Sequence, residues 1–390
     1  MRDIVLAEEF APFIGGAHLW MYEVYRRWPH PVCVIARDYS EVADLAPMQA
    51  EFDRRKHGVL KLQRVNLEFE TWGVRSFPDY MQLCRIAHSN LSNQGPTRIH
   101  CLKALPEALS TWPLKFRYGR RIRVITYAHG EEYLIAKTSR ELSYLTRKAL
   151  QISDLVIANS ESTAAIVRSI EPNARIAVIH PGICVSDYDT AAERRNETRN
   201  LWGWPEETVV LAMVARMEPR KNHATVLQSL AELRREGVPL ACVIGSDGAE
   251  RQRLQEMTKR LDITAWVLFT GRITDMEKRD ILAAADIHIM PSIQVGPMIE
   301  GFGIVFLEAA AAGIPSIAGN VGGQGEAVLH GKTGLVVDGT SVKQVKEAIR
   351  QLAGNPDLRR RMGKEGRLWA VANDWDIVSR RTIDVLDSRC

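Results

Sequence analysis

Residues 300–315 decide the fold of this chain, and they read Glu300-Gly301-Phe302-Gly303-Ile304-Val305-Phe306-Leu307-Glu308-Ala309-Ala310-Ala311-Ala312-Gly313-Ile314-Pro315. A glycine-rich turn leads into an apolar helix, and Gly313 with Pro315 just beyond predicts the end of that helix. Gly301 and Gly303 allow a ligand to approach the backbone closely. Because a helix N-terminus offers unpaired N–H groups, the backbone of residues 301–304 is a predicted anion site.

Two carboxylates accompany this turn, Glu300 and Glu308, eight residues apart. At the usual helical rise they are about 12 Å apart, roughly the length of an extended diphosphate with a sugar at each end. One carboxylate can therefore accept hydrogen bonds from a transferred sugar and the other from a ribose. The alternative is a capped surface helix with two solvated acids.

A second stretch supplies cations. Residues 209–214 predict a buried strand, which is followed directly by Ala215-Arg216-Met217-Glu218-Pro219-Arg220-Lys221-Asn222. Arg216 and Lys221 thus leave the end of a parallel strand, where open α/β sheets bind ligands. An Arg fork and a Lys point charge can neutralise a nucleotide diphosphate leaving group without a metal ion. The alternative is an ordinary basic turn after a strand.

Together, Arg216, Lys221-Asn222 and Glu300-x₇-Glu308 with its internal Gly-Phe-Gly resemble the retaining glycosyltransferases of family 4, which share the two-domain GT-B fold. The likeness is detailed over residues 180–340 and sparse but correctly ordered over 1–180. Further matching segments occur in family order: Pro12-x-x-Gly15-Gly16, His129-Gly130, Asn159-Ser160, Ile179-His180-Pro181-Gly182-Ile183, Gly245-Ser246-Asp247-Gly248, Phe269-Thr270-Gly271-Arg272, Met290-Pro291-Ser292 and the hairpin Gly331-Lys332-Thr333-Gly334-Leu335-Val336.

The whole chain alternates short apolar runs with helical stretches, which predicts an α/β protein with parallel sheets covered on both faces. With the resemblance, this becomes two Rossmann-like domains whose sheets face an interdomain cleft. We predict an acceptor-side domain over 1–183 and a nucleotide-sugar donor domain over 184–374, and the family places the last helix, 375–390, back on the first domain. Predicted strands are 4–7, 32–36, 98–101, 123–127, 155–158, 177–180, 209–214, 241–245, 267–270, 287–290 and 316–318.

Two features of the N-terminal half are candidate ligand contacts. Gly15-Gly16 follows the first strand without the Gly-x-Gly-x-x-Gly of a dinucleotide-binding dehydrogenase, so that class is excluded. A tight turn that only packs a helix is the alternative. His129 follows another strand, at a position that favours ligand contact in open sheets, although a structural histidine fits equally. Glu131 and Glu132 are interpreted as first-turn helix residues that suit the dipole.

Composition agrees with two domains. The chain has 390 residues, 46% of them hydrophobic, and six dispersed cysteines without metal-ligand spacing. The first apolar run is too short for a signal peptide, and no stretch reaches the length of a membrane span. We therefore expect a cytoplasmic protein with reduced thiols. A pI near 8.7 without a recognisable nucleic-acid module argues against nucleic acid as a partner.

Positive charge is concentrated in the N-terminal half, where residues 1–183 have a net charge of +5 and the remainder −1. Two clusters stand out, Lys115-Phe116-Arg117-Tyr118-Gly119-Arg120-Arg121-Ile122-Arg123 and Arg54-Arg55-Lys56. They are either solvated faces or a surface for anionic lipid headgroups or an anionic acceptor. The second interpretation places the protein peripherally at the inner face of the cell membrane.

The resemblance implies a function in which a hexose moves from a nucleotide diphosphate sugar, GDP-mannose or a UDP-hexose, to a hydroxyl of a lipid-linked or saccharide acceptor with retention of configuration. It implies no cofactor and no metal ion, with the leaving phosphate oxygen assisting deprotonation of the acceptor on the same face. Arg216 and Lys221 would neutralise the diphosphate, Glu300 would hold the sugar and Glu308 the ribose. The remaining implied contacts are Gly245, Gly248, Gly271 and Arg272 near the nucleoside, Gly301, Phe302, Gly303 and Ile304 near the phosphates, and His129, Gly15 and Gly16 from the first domain.

Two alternatives stay open at this point. A GT-B nucleotide-sugar epimerase or hydrolase would bind the same donor and release a sugar without an acceptor. A catalytically silent relative would bind the nucleotide sugar as a partner or regulatory subunit. The Arg216, Lys221, Glu300 and Glu308 set favours the transferase over both.

Overall fold

The structure is a computed structural model that describes residues 1–12, 15–67, 69, 72–92 and 95–389. Residue contacts divide the chain into two compact units. The N-terminal unit comprises Met1–Pro181 and Trp375–Cys390, and the C-terminal unit is Gly182–Asp374. Cys390, the last residue of the predicted final helix, lies outside the described residues.

The N-terminal unit is built on a seven-stranded parallel sheet in the order β3-β2-β1-β4-β5-β6-β7. Its strands are β1 Arg2–Ala7, β2 Val32–Arg37, β3 Leu60–Val65, β4 Thr97–Cys101, β5 Ile122–Ala128, β6 Leu155–Ala158 and β7 Ile176–Val178. Its first helices are α1 Gly16–Tyr25, α2 Ala46–Asp53, α3 Phe77–Ser89, α4 Trp112–Tyr118, α5 Glu131–Ala136, α6 Arg140–Ile152 and α7 Glu161–Ile170.

The sequence-based prediction missed β3, one of the two edge strands of this sheet. Its residues, Leu-Lys-Leu-Gln-Arg-Val, alternate apolar and polar and are only partly buried. A strand such as β6, Leu-Val-Ile-Ala, is by contrast a continuous apolar run with buried side chains, as expected for a sheet covered on both faces. β3 lacks that signal because its side chains are only partly covered.

The C-terminal unit has a six-stranded parallel sheet in the order β10-β9-β8-β11-β12-β13. Its strands are β8 Val209–Val214, β9 Leu240–Gly245, β10 Val267–Gly271, β11 Ile287–Met290, β12 Ser316–Gly319 and β13 Gly334–Val337. Its helices are α8 Arg195–Trp202, α9 His223–Arg235, α10 Arg251–Arg260, α11 Asp275–Ala284, α12 Ile304–Ala311, α13 Gln324–Ala327, α14 Val342–Ala353 and α15 Pro356–Ala372.

The hairpin predicted at residues 331–336 is wrong. Gly331 donates its N–H to the carbonyl of Gly334 at 2.8 Å, which makes a tight turn, and the chain then enters β13. β13 pairs in parallel with β12. A Cβ on Gly334 would lie 2.1 Å from the carbonyl oxygen of Ser316, so this glycine permits the close pairing of the two strands.

The last helix, α16 Trp375–Arg389, belongs to the N-terminal unit. It packs against α1, and Ser379 Oγ donates to the carbonyl of Val24 at 3.1 Å. At its far end, Asp387 accepts from Arg98 at 2.8 Å. Arg98 in turn pairs with the wholly buried Asp3, so this helix is tied to the centre of the sheet.

Both sheets follow the doubly wound order in which the first and fourth strands of the unit are neighbours. In open α/β sheets, ligands bind outside the carboxyl ends of the strands at this point, where the winding reverses. In the N-terminal unit this point lies after β1 and β4, and in the C-terminal unit after β8 and β11. Functional side chains are therefore expected at the carboxyl ends of these two pairs of strands.

Candidate active site

The loop after β8 brings two cations to one carboxylate. Lys221 Nζ forms an ion pair with Glu300 Oε2, and Arg220 Nη1 lies 3.2 Å from the same oxygen. The three side chains are almost buried, with 12% or less of each exposed. Asn222 anchors the loop in a left-handed conformation (φ 63°), donating Nδ2 to the carbonyls of Pro291 and Gly339 at 3.1 and 2.6 Å.

The charge state of Glu300 follows from this arrangement. Burial by itself would raise the pKa of Glu300, but the charges of Lys221 and Arg220 lower it below its ordinary value. Glu300 is thus an anion that holds two cations at the winding reversal of the sheet. An incoming diphosphate would compete with Glu300 for Lys221, while the carboxylate remains able to accept from sugar hydroxyls.

Arg216 is placed differently from the sequence-based prediction. Its side chain is 71% exposed and pairs with Glu218 at 3.0 Å, whereas Glu218 also pairs with Arg220 at 3.2 Å. The buried cation beside Glu300 is therefore Arg220, which the prediction did not single out. Its position next to Lys221 in a basic run was the available signal.

The turn before α12 is shaped by glycines. Gly303 is the N-cap with φ 89°, and a Cβ there would meet the Phe306 ring at 2.7 Å. Gly322 approaches from a neighbouring loop so closely that a Cβ would lie 2.1 Å from the Glu300 carbonyl. Phe302 is 2% exposed and belongs to the hydrophobic core, so its side chain supports the turn from below rather than facing a ligand.

The helical spacing predicted for Glu300 and Glu308 is wrong, because α12 begins at Ile304 and Glu300 lies in the preceding turn. Glu308 sits within the helix, 7% exposed, and accepts from Lys278 Nζ at 2.6 Å. Although burial opposes the charge of Lys278, Glu308 and Asp275 raise the pKa of Lys278 above its ordinary value. The two predicted carboxylates thus each have their own cationic partner.

Residues 245–248, which were predicted to lie near the nucleoside, pack against the loop after β8. Gly245 ends β9, and a Cβ on Gly248 (φ 159°) would lie 2.6 Å from the carbonyl oxygen of Met217. Met217 also exchanges backbone hydrogen bonds with Asp247 and Glu250, both at 3.0 Å. Gly271 ends β10 with φ 78°, and Arg272 beside it is exposed. No described contact identifies what these residues bind, so their donor role stays a prediction.

In the N-terminal unit, His129 follows β5 and lies against the end of β4. Its Nε2 is 2.9 Å from the Leu102 carbonyl, and its ring packs edge-on to Trp20. Because a carbonyl only accepts, Nε2 carries a proton. Burial lowers the pKa of His129 to about 3, so the ring is neutral and its Nδ1 is an acceptor rather than an acid.

Its neighbours hold His129 in place. The His129 N–H donates to Glu132 Oε1 at 2.7 Å, and its carbonyl accepts from Asn159 Nδ2 at 3.0 Å. Glu131 and Glu132 lie in the first turn of α5, as interpreted. Gly15 is the N-cap of α1, which begins at Gly16, while residues 13 and 14 of this loop lie outside the described residues.

A cluster of acids that the prediction overlooked surrounds the ends of β1 and β4. Glu8 donates its backbone N–H to Glu107 Oε1 at 2.9 Å, and Glu107 is fully buried. Glu9 accepts from His18 at 3.0 Å and lies 3.5 Å from Lys103. Burial raises the pKa of Glu107 to about 8 and that of Glu8 to about 7, although Lys103 opposes both shifts.

Groups of potential metal ligands and membrane-spanning helices are both absent from the described residues. Within the parts of the chain that the structure describes, no three or more His, Cys, Asp or Glu side chains are grouped as potential metal ligands. Nor does any described helix combine the length and apolar character needed to cross a bilayer.

Two doubly wound α/β units, one with a buried Lys–Glu–Arg arrangement at its winding reversal, define the class of protein, a two-domain α/β protein. Comparison with known proteins names the family. Residues 194–369 match the family model "Glycosyl transferases group 1", and residues 14–187 match "Glycosyltransferase Family 4". The chain belongs to this family, as predicted from its motifs.

Individual relatives agree with the family. The chain is 32% identical to the GDP-mannose-dependent alpha-(1-6)-phosphatidylinositol monomannoside mannosyltransferase of Mycolicibacterium smegmatis over 71% of this chain and 73% of that protein. It is 33% identical to the protein of the same description from Mycobacterium tuberculosis, over 68% and 69% of the two chains. Anabaena HepE, solved in complex with UDP, shares the fold at a TM-score of 0.79 and 17% identity over both full chains. The predicted GT-B fold class is confirmed.

Proposed function

We propose that this glycosyltransferase moves a hexose from a nucleotide diphosphate sugar to a hydroxyl of a lipid-linked or saccharide acceptor, with retention of configuration and without a metal ion. The observation that carries the proposal is the Lys221–Glu300–Arg220 arrangement at the winding reversal of the C-terminal sheet. GDP-mannose is the favoured donor, because the mannosyltransferases from the two mycobacteria are described as GDP-mannose-dependent. A UDP-hexose is the second candidate.

In this proposal the C-terminal unit carries the leaving group. Lys221 exchanges its ion pair with Glu300 for an ion pair with the diphosphate. The exposed Arg216, from the same loop, also contacts the phosphates. The first-turn N–H groups of α12 add backbone donors. Fixed cations placed where negative charge develops stabilise the transition state because they need no reorganisation.

Glu300 then accepts hydrogen bonds from the hexose hydroxyls and Glu308 from the ribose. From the N-terminal unit, neutral His129 offers an acceptor nitrogen to a sugar or acceptor hydroxyl. The acceptor oxygen bonds to the anomeric carbon on the face from which the phosphate oxygen departs, and the hydroxyl proton passes to that oxygen. Retention of configuration follows because both events occur on one face.

Peripheral contact with an anionic membrane is the second part of the proposal. Within the cluster at residues 115–123, Lys115 and Arg123 both pair with Asp154, at 2.5 and 3.3 Å, so these two cations share one carboxylate. The other three, Arg117, Arg120 and Arg121, are exposed. These three are the docking cations that we propose.

A panel of nucleotide sugars, incubated with and without lipid and saccharide acceptors, tests the proposal. Acceptor-dependent release of the nucleotide, with a product of unchanged anomeric configuration by NMR, is the expected result. Turnover without acceptor would instead indicate an epimerase or hydrolase. Binding of nucleotide sugar without any turnover would indicate a silent relative.

A further inference from the structure

The N-terminal unit carries an apolar groove that none of the predicted site residues lines. Its volume of about 420 Å³ is within the usual range for small-molecule sites. The turn before α3 forms it together with α3, α4 and α6. The side chains that give it its apolar character include Val74, Phe77, Met81, Trp112, Tyr144 and Leu145.

The rim of this groove is exposed to solvent. Phe77 is 62% exposed, Trp112 59% and Tyr144 60%, and Val74 beside them is 60% exposed. Four large apolar side chains around one concave surface are unlike the scattered exposed hydrophobics of an ordinary surface, and such patches mark interaction sites.

Three polar residues that line the groove, Tyr80, Ser110 and Lys148, are already hydrogen-bonded within the protein. Tyr80 donates its hydroxyl to the carbonyl of Trp72 at 2.5 Å, and Ser110 donates to that of Pro106 at 2.9 Å. Lys148 Nζ donates to Gln151 Oε1 at 3.2 Å. A polar ligand would therefore gain little in the groove and lose its hydration, whereas an apolar ligand only gains by burial.

The surroundings of the groove are strongly basic. Segments 74–89, 112–121 and 140–152, which form it, contain nine Lys or Arg and two Asp or Glu. Asp154 and Glu171, from outside these segments, pair with Lys115 and Arg147. Arg75, Arg140 and Lys148 remain exposed near the rim. This surface is therefore complementary to a ligand with an apolar body and a negative charge.

We propose that this groove binds the acyl chain of an anionic phospholipid, with the headgroup phosphate held by the basic rim. Trp112 and Tyr144 suit this position, since aromatic side chains with a polar end favour the membrane interface. A second copy of the chain fits less well, because a twofold contact would place two basic faces against each other. The proposal goes beyond the transfer reaction and does not depend on what the enzyme transfers.

Monomeric lyso-phosphatidylglycerol, kept below its critical micelle concentration, is the probe, and isothermal titration calorimetry on the full chain measures its binding. We expect saturable binding of one molecule per chain. Deacylated glycerophosphoglycerol should not bind, since it lacks the tail. A shorter acyl chain should bind at least about tenfold more weakly, because each buried methylene contributes to affinity. Lyso-phosphatidylcholine of equal chain length should also bind more weakly, since its headgroup has no net charge.

Phe77→Ser/Trp112→Ser is the test variant, and both side chains are exposed enough for the fold to tolerate it. We expect its affinity for the lysolipid to fall at least tenfold. The matched control is Leu201→Ser/Leu368→Ser, which removes two exposed apolar side chains, 82% and 64% exposed, from the C-terminal unit. That control should bind the lysolipid like the parent protein.

Undiminished lysolipid binding by Phe77→Ser/Trp112→Ser would overturn the proposal, as would equal binding of the zwitterionic lysolipid. A dimer of the parent protein that this variant dissociates would assign the groove to a second copy and would also overturn it. Nucleotide binding, measured in the same preparations, reports separately on the transferase site. A failure of the lipid proposal is thereby distinguished from a failure of the proposed function.

Discussion

The pKa values of buried glutamates are shifted in opposite directions in the two units. In the C-terminal unit, Lys221 and Arg220 overcome the effect of burial and lower the pKa of Glu300. In the N-terminal unit, Lys103 opposes the effect of burial on Glu107 without overcoming it, so the pKa of Glu107 rises to about 8. Near neutral pH, Glu300 in the C-terminal unit is thus an anion, whereas Glu107 in the N-terminal unit is a protonated acid.

The two sets of charges favour different ligands. A carboxylate with two cations lies in a strongly polar site that a phosphate can enter by exchanging ion pairs. In the N-terminal unit, buried acids with raised pKa values accompany the neutral His129, whose Nδ1 can accept a hydrogen bond from a hydroxyl group. The contrast agrees with donor binding by the C-terminal unit and acceptor binding by the N-terminal unit, as we propose.

The largest expected effect comes from removing the central cation of the C-terminal site. Lys221→Ala should reduce kcat by about 10²–10³, the usual loss for one electrostatic donor to a developing negative charge. Initial rates with the donor found in the nucleotide-sugar panel measure it. Lys332→Ala, at a side chain that is 62% exposed in the same unit, is the control and should be as active as the parent. A near-normal rate for Lys221→Ala would remove this site from catalysis.

The next effect concerns the basic surface of the N-terminal unit. Replacing Arg117, Arg120 and Arg121 with Glu should weaken co-sedimentation with anionic vesicles by more than about 100-fold, because each surface cation contributes about 1 kcal/mol near such a leaflet. Binding by the parent should weaken with salt. A matched triple replacement in α15, at the exposed Arg360, Arg361 and Lys364, should leave vesicle binding intact. Parent protein that stays in the supernatant at low salt would contradict membrane docking.

A smaller effect is expected on stability as a function of pH. The ordinary pKa of Glu107 is 4.5 and its folded-state pKa is about 8. Between these values only the folded protein keeps the proton, so stability falls as pH rises, by about 1.4 kcal/mol for each pH unit. Glu107→Gln should flatten the decrease in melting temperature between pH 5 and pH 8. The exposed Glu51→Gln is the control. An unchanged slope for Glu107→Gln would mean that Glu107 is ionised in the fold.

The smallest expected effect is that of a chelator. Since Lys221, Arg216 and the start of α12 are proposed to neutralise the diphosphate, the initial rate should be unchanged by EDTA. Titration with EDTA, followed by added Mg²⁺ or Mn²⁺, measures this. Loss of activity that either metal ion restores would show that cations other than protein side chains stabilise the leaving group.

Most of the strands and helices could be predicted from the sequence. Continuous apolar runs such as 155–158, 209–214 and 287–290 became strands with these bounds, because strands buried on both faces need no alternation of polarity. The edge strand β3 was not predicted, because it lacks such a run of apolar residues. The glycine turn before α12 was also readable, since Gly303 adopts a positive φ that other residues avoid.

Which charged side chains form ion pairs is known only from the tertiary structure. The sequence indicated Arg216 as the partner of Lys221, but packing buries Arg220 beside Glu300 and leaves Arg216 exposed. Packing also brings Glu308 into an ion pair with Lys278, and Asp154 into ion pairs with Lys115 and Arg123. These partners lie about 30 to 80 residues apart in sequence. Their meeting depends on the order of strands in the sheet and on side-chain direction, which no local pattern of residues encodes.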